Sequence, residues 1–157
     1  MKKLFIDARV CIGCHLCEMV CSLAHLKDEV NPRRARIRVH EDLANSIFMP
    51  VVCKQCAKAP CVAVCPYDAI AQDPVSRVPI IDAEKCTACL ACVEACPFGA
   101  MFYDEQEQLP LVCDLCGGDP QCVKFCPRHP TKTHAALGYT SATEWSKVKA
   151  SFSSPVD

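Results

Sequence analysis

Sixteen cysteines in four groups of four constrain this chain more than any other feature of it. Group one is Cys11, Cys14, Cys17 and Cys21, spaced C-x2-C-x2-C-x3-C. Group two is Cys53, Cys56, Cys61 and Cys65, with a four-residue middle gap and Pro66 behind it. Group three, Cys86, Cys89, Cys92 and Cys96, repeats the short spacing and is followed by Pro97. Group four, Cys113, Cys116, Cys122 and Cys126, has a five-residue middle gap and then Pro127. A chain of 157 residues so rich in cysteine is a disulfide scaffold, a metal protein or a cluster protein. Cysteine also inflates the apolar fraction: without it, 51% falls to about 41%, below the usual share. Side-chain packing is therefore thin, and covalent or metal links are expected to supply part of the stability.

Context argues against disulfides. The segment Met1 to Val10 carries two lysines but no apolar run of signal-peptide length. No stretch reaches the length of a transmembrane helix. The expectation is a cytoplasmic protein without membrane insertion, in a reducing compartment where thiols hold metals more often than they pair. Zinc is the competing structural reading, since it uses two C-x2-C knuckles. It leaves unexplained a further cysteine three residues on, and a proline after it in three groups of four. A [3Fe–4S] centre would show a missing cysteine, and none is missing.

Short-spaced and long-spaced groups alternate along the chain, as in an internal duplication. Ile6-Asp7-Ala8 precedes Cys11 at the offset at which Ile81-Asp82-Ala83 precedes Cys86. Pro60 and Pro120 each stand just ahead of the third cysteine of their groups. A second likeness crosses the first: Cys65-Pro-Tyr-Asp-Ala-Ile follows group two and Cys96-Pro-Phe-Gly-Ala-Met follows group three. The segment from Ala69 to Lys85 reads as a short hairpin, with Val78-Pro-Ile-Ile-Asp as its return strand.

Groups two and three thus resemble a two-cluster bacterial ferredoxin, in which the fourth cysteine of a run ligates the other cluster. The x2 gaps wrap the backbone around one cube. The fourth cysteine is expected at the start of a helix, with the following proline in its first turn. The resemblance implies that Cys53, Cys56 and Cys61 share a [4Fe–4S] cluster with Cys96, and that Cys86, Cys89 and Cys92 share one with Cys65. Elimination leaves Cys11, Cys14 and Cys17 with Cys126, and Cys113, Cys116 and Cys122 with Cys21. Four such centres add about −8 to the formal charge of −1, which argues against nucleic acid as a partner.

The whole array, with CTACLACVEACPFGAM in the third group and CDLCGGDPQCVKFCP in the fourth, is similar to the four-cluster electron-transfer subunits of molybdenum and tungsten oxidoreductases. This is the family of the dimethyl sulfoxide reductase iron–sulfur subunit, and the polyferredoxin subunits of tungsten aldehyde oxidoreductases are the nearest type within it. The resemblance covers roughly residues 1 to 140. It implies an α+β fold of two interlaced ferredoxin-like units with much irregular loop. One unit comprises residues 1–52 and 98–140, the other residues 53–97, with a C-terminal helix or tail over 141–157. It also implies a relay of single electrons between a catalytic molybdenum or tungsten subunit, oxidising an aldehyde or similar donor, and an acceptor such as a flavoprotein. End-to-end self-association is a further possible contact. The alternatives are a free-standing polyferredoxin, or a subunit of a hydrogenase, formate dehydrogenase or carbon monoxide dehydrogenase.

Other features are weaker. Arg34, Arg36, Arg38 and His40 alternate with Ala35, Ile37 and Val39, which reads as a strand with one basic face. It is a docking strip, a compensation for the clusters' negative charge, or the solvated face of an edge strand. Lys54, Lys58, Lys85 and Lys124 stand beside cysteines and could raise cluster potentials. His15 lies between two cysteines but is not needed as a ligand. Ser141-x-x-Glu144 is a capping box that opens a helix with Trp145, Val148 and Phe152 at helical spacing. No nucleotide-binding loop, nucleophile elbow or His/Glu metal motif is present, so no catalytic residue is assigned.

Overall fold

A computed structural model describes residues 2–130 and 134–150. Within them, eight strands form four separate two-stranded antiparallel sheets. β1 (Lys3–Ile6) pairs with β8 (Leu137–Thr140), and β2 (Ile37–Asp42) with β3 (Ile47–Val52). β4 (Ile70–Gln72) pairs with β5 (Pro79–Ile81), and β6 (Phe102–Asp104) with β7 (Leu109–Leu111). Among them run α1 (Leu16–Leu26), the single-turn helices α2 (Pro60–Ala63), α3 (Ala91–Glu94) and α4 (Gln121–Lys124), and α5 (Ala142–Ala150). The architecture is α+β with much irregular loop, as expected. Two-stranded sheets are marginal alone, and here they lean on a core in which cysteines alternate with Ile37, Val52, Ile70, Val112 and Leu137.

The duplication seen in the cysteines extends to backbone pairing. Ile81 pairs with Ile70, and the Asp82 N–H donates to the Ala69 carbonyl at 2.8 Å. Ile6 pairs with Leu137, and the Asp7 N–H donates to the Ala136 carbonyl at the same 2.8 Å. The strand before group one thus meets the strand after group four as the strand before group three meets the strand after group two. Helix packing follows suit, with α1 against α4 and α2 against α3.

Two expectations need correction. In groups two, three and four the short helix precedes the fourth cysteine instead of starting at it. Cys61, Cys92 and Cys122 sit on α2, α3 and α4, while Cys65, Cys96 and Cys126 lie just past their ends. Pro66, Pro97 and Pro127 therefore stop the helices, as a residue without an N–H does just past a C-cap. Group one lacks that proline, and α1 runs on through Cys21 to Leu26. The second correction concerns the basic strand, which starts at Ile37; Arg34 lies in a 3-10 turn over Pro32–Arg34. Its arginines face protein. Arg34 pairs with Asp104 at 2.6 Å and Glu107 at 2.9 Å, Arg36 with Asp114, and Arg38 lies 4.4 Å over the Phe102 ring.

The capping box at the end of the chain forms: the Glu144 N–H donates to Ser141 Oγ, and the Ser141 N–H to Glu144. Trp145 turns inward, stacked on Phe5 at 5.7 Å and packed on Gly138, where a Cβ would collide with its ring. This helix covers the β1–β8 hairpin; Phe152 lies outside the described residues.

Candidate metal centres

None of the sixteen cysteines forms a disulfide. They line four separate cavities, four to each. The first is lined by Cys11, Cys14, Cys17 and Cys126. The second is lined by Cys53, Cys56, Cys61 and Cys96, and the third by Cys65, Cys86, Cys89 and Cys92. The fourth is lined by Cys21, Cys113, Cys116 and Cys122. In each, three cysteines come from one group and the fourth from another. The remaining walls are mostly apolar, such as Val10, Val39 and Leu137 in the first cavity.

The loops reach this shape through left-handed backbone at fixed offsets. Two and four residues after the first cysteine, group one has Gly13 (φ 64°) and His15 (φ 56°), and group three has Ala88 (φ 54°) and Leu90 (φ 63°). Gln55 and Leu115 take the first of these positions in groups two and four. Left-handed residues set among right-handed ones turn successive N–H groups into one concavity, a nest suited to an anion such as a cluster. Non-glycine residues held there cost about 1–3 kcal/mol each, a strain that persists where surrounding structure enforces it. Gly13 has a second reason to be glycine, since a Cβ would run into the Phe48 ring on β3. Further amides point at sulfur. The Ala69 and Ala100 N–H groups donate to Cys65 Sγ and Cys96 Sγ, both at 3.3 Å and at the same offset. The Arg36 N–H meets Cys21 Sγ at 3.3 Å, and the Leu115 N–H meets Cys113 Sγ at 3.4 Å.

Burial pushes the metal-free thiols up: Cys17 and Cys113 to about 12, Cys53 and Cys92 to about 11, and Cys122 further. Neighbouring sulfurs add to the effect, and some of these belong to other cavities. Cys17 acts on Cys122, Cys53 on Cys113, and Cys61 on Cys92. The cavities therefore adjoin in the order first, fourth, second, third. Two of the sixteen cysteines are exposed, Cys14 in the first cavity and Cys89 in the third, the two ends of that order. Coordination by a metal would displace these protons outright.

The accessory residues are mostly accounted for by the protein itself. His15 lies between Glu18 and Glu41, each at 2.6 Å, and those carboxylates push its pKa up. Glu18 is buried, and its other oxygen takes the Val39 N–H at 2.7 Å, closing the edge of β2. Lys85 pairs with Asp82 at 3.3 Å and Lys124 with Asp119. A further depression of about 670 Å³ is lined by no cysteine, and its charged residues His25, Arg34, Arg36, Asp104, Glu107 and Asp114 pair with one another. Sequence reasoning missed the pairing of His25 and Arg36 with Asp114, because 78 or more residues separate the partners. It also missed the left-handed Ala88, Leu90, Gln55 and Leu115, whose residue types give no sign of that conformation.

Four sets of four cysteines with inward amides define a ferredoxin-type iron–sulfur protein with the ligands for four [4Fe–4S] clusters. The chain belongs to the 4Fe-4S dicluster domain family, whose pattern matches residues 44–135, and a 4Fe-4S binding domain matches residues 9–24. It is 42% identical over 116 residues to the aliphatic sulfonate oxidoreductase polyferredoxin-like subunit of Pyrococcus furiosus, covering 74% of this chain and 66% of that protein. It is 34% identical over 147 residues to the NADH-dependent phenylglyoxylate dehydrogenase subunit beta of Aromatoleum evansii, covering 92% of this chain and 33% of that one. The chain thus spans between one third and just under two thirds of the length of these relatives. Among solved structures, the active site complex BamBC of benzoyl coenzyme A reductase with benzoyl-CoA contains a similar chain. The TM-score is 0.52 at 27% identity, over 96% of this chain and 88% of that one. Among the described residues, no helix is long and apolar enough to cross a membrane.

Proposed function

We propose that this chain is the electron-transfer subunit of a molybdenum or tungsten oxidoreductase. It relays electrons singly between the catalytic subunit, which oxidises an aldehyde or similar donor, and an acceptor such as a flavoprotein. The observation that carries this reading is the position of the two exposed cysteines, Cys14 and Cys89, at opposite ends of the row of cavities. A row with an exposed ligand at each end, and only buried or partly buried ligands between, suits a conductor with two docking ends. The clusters supply one-electron couples of the ferredoxin kind. The protein supplies the ligands, in the sets Cys11, Cys14, Cys17, Cys126; Cys53, Cys56, Cys61, Cys96; Cys65, Cys86, Cys89, Cys92; and Cys21, Cys113, Cys116, Cys122. The nests and the Sγ-directed amides stabilise the negative charge, and the apolar walls keep water off it.

Two interlaced units follow from these sets, one from residues 1–52 and 98–140 and one from residues 53–97. The pairing of β1 with β8 and the packing of α1 on α4 support the first of them. Cytoplasmic residence fits sixteen thiols that must stay reduced until loaded. Beside Cys14, the half-exposed Ile12 offers apolar surface to a partner. Purification under anaerobic conditions tests the proposal. About sixteen iron and sixteen sulfide per chain are expected, four of each per cube, with co-elution of a larger cofactor-bearing subunit. Zinc or half the iron would overturn the ligand sets, and elution as a lone monomer would replace the subunit reading with a free-standing polyferredoxin.

A further inference from the structure

The four ligand loops reach their cavities with unequal help from the backbone. Between its first and third cysteines, group one has the left-handed residues Gly13 and His15, and group three has Ala88 and Leu90. Group four has Leu115, Cys116, Gly117 and Gly118. Group two, with its middle gap of four residues, has only Gln55, at φ 45°. A loop with fewer left-handed residues aims fewer N–H groups into one concavity, so something else must orient it.

Two glutamine side chains hold it. Gln55 Nε2 donates to the Cys53 carbonyl at 2.7 Å, and Gln72 Nε2, on β4, donates to the Cys56 carbonyl at 2.9 Å. The other Nε2 hydrogen of Gln72 goes to the Arg77 carbonyl at 3.0 Å, which anchors this brace to the β4–β5 turn. Neither glutamine lines the second cavity, so both carbonyls engage groups outside its wall. In a planar trans peptide the C=O and N–H point in opposite directions. Turning the Cys53 and Cys56 carbonyls away therefore turns the Lys54 and Ala57 N–H groups toward the cavity. Gln55 does this at a penalty. It is 1% exposed, where the matching residues are Gly13, Ala88 and Leu115, and its Oε1 is buried without a partner. A carbonyl only accepts, so flipping the amide cannot relieve that oxygen. An unpaired buried oxygen is destabilising, and a role at the adjacent site accounts for its presence.

We propose that Gln55 and Gln72 are positioning residues for the cluster held by Cys53, Cys56, Cys61 and Cys96. Their side-chain amides turn backbone N–H groups inward, as left-handed residues do in the other three loops. Reduction adds one negative charge to a site that is already anionic, and N–H groups facing the site favour that state. The two glutamines therefore raise the reduction potential of this site above the value its loop alone would give. In the order of cavities the site lies between the fourth and the third, so every electron that travels the row passes through it. The inference rests on the ligand sets proposed above.

An EPR-monitored redox titration of the anaerobic holoprotein tests it. The signal of this site is the one that Cys56→Ser and Cys96→Ser both alter. Gln72→Met keeps the length of the side chain and removes both donated hydrogens. It is expected to lower the midpoint of that signal at least about threefold in equilibrium terms, about 28 mV at 59 mV per tenfold for one electron, and leave the other three in place. Gln55→Leu introduces the residue type that stands at the matching place in group four. It should lower the same midpoint less, because the unpaired Oε1 leaves together with the donor. Its denaturant midpoint should stay near wild type, since the Cys53 carbonyl merely replaces Oε1 as the unpaired oxygen. Residues that only filled space would leave the potential where it is. If both variants leave that midpoint unmoved, raise it, or shift all four alike, the inference is wrong. If Cys56→Ser and Cys96→Ser alter different signals, the ligand sets fail and this inference fails with them; a shared signal that neither glutamine variant moves removes this inference alone.

Discussion

The region around groups two and three and the region around groups one and four, proposed above as two units, carry the same plan by different means. In the first, β4 and β5 are separated by a short turn and pair locally, and α2 and α3 are single helical turns. In the second, β1 and β8 come from opposite ends of the described chain, and α1 is eleven residues long. Joining distant segments costs more loop-closure entropy, and the second unit carries added ties that the first lacks. Trp145 stacks on Phe5 across the β1–β8 hairpin. Asp7 is buried between Arg9 at 2.8 Å and His134 at 3.3 Å, and the Arg9 guanidinium holds its carboxyl well below the usual range. Its repeat partner, Asp82, is half exposed and pairs with Lys85 across 3.3 Å. Among the described residues, the repeated motifs share their loop geometry, and the long-range copy carries these added ties.

Removing the clusters should erase the comparison altogether. Cluster binding and folding are coupled where the ligand site cannot form in the unfolded chain, so anaerobic iron chelation should collapse both units. Dispersed, native-like NMR signals from the apoprotein would show that packing alone holds the fold. Trp145→Ala should act on the terminal unit only, costing about 3–5 kcal/mol as other buried aromatic truncations do. Denaturant titration of the holoprotein checks the size, and an unshifted midpoint would show that α5 is dispensable. Asp7→Asn should cost about 1–3 kcal/mol by leaving buried partners unpaired, while Asp82→Asn should change stability less. The Asp7 carboxyl is depressed, so its contribution is present above the ordinary carboxylate range and lost as pH falls through and below it. The wild-type advantage over Asp7→Asn should shrink in acid. Ser141→Ala should cost least, about 1 kcal/mol for one N-cap, and appear as fraying of α5 in hydrogen exchange.

Much of this was legible in the cysteines because cluster ligation imposes fixed spacings. The hairpin after group two, the capping box at Ser141 and the alternation of short and long groups follow from local sequence. What stayed hidden depends on distant partners or on backbone that residue type does not signal. Ala88 and Leu90 are left-handed because the loop must wrap, and neither residue type favours that conformation. The partners of Arg34 and Arg36 stay hidden in the sequence because Asp104 and Asp114 lie far along the chain. From sequence alone Pro66, Pro97 and Pro127 read as helix starts, yet proline is also common just past a helix end. Only the long run of α1, where that proline is absent, separates the two roles.

Crossed ligation is the central claim, and one variant tests it most directly. In Cys65→Ser the sulfur is lost from group two. The account predicts loss or conversion of the cluster held by Cys86, Cys89 and Cys92, with the one held by Cys53, Cys56 and Cys61 intact. Mössbauer and EPR spectra of the anaerobic variant, compared with those of Cys89→Ser and Cys56→Ser, identify which centre is gone. A Cys65→Ser spectrum matching Cys89→Ser supports the account; one matching Cys56→Ser would contradict it.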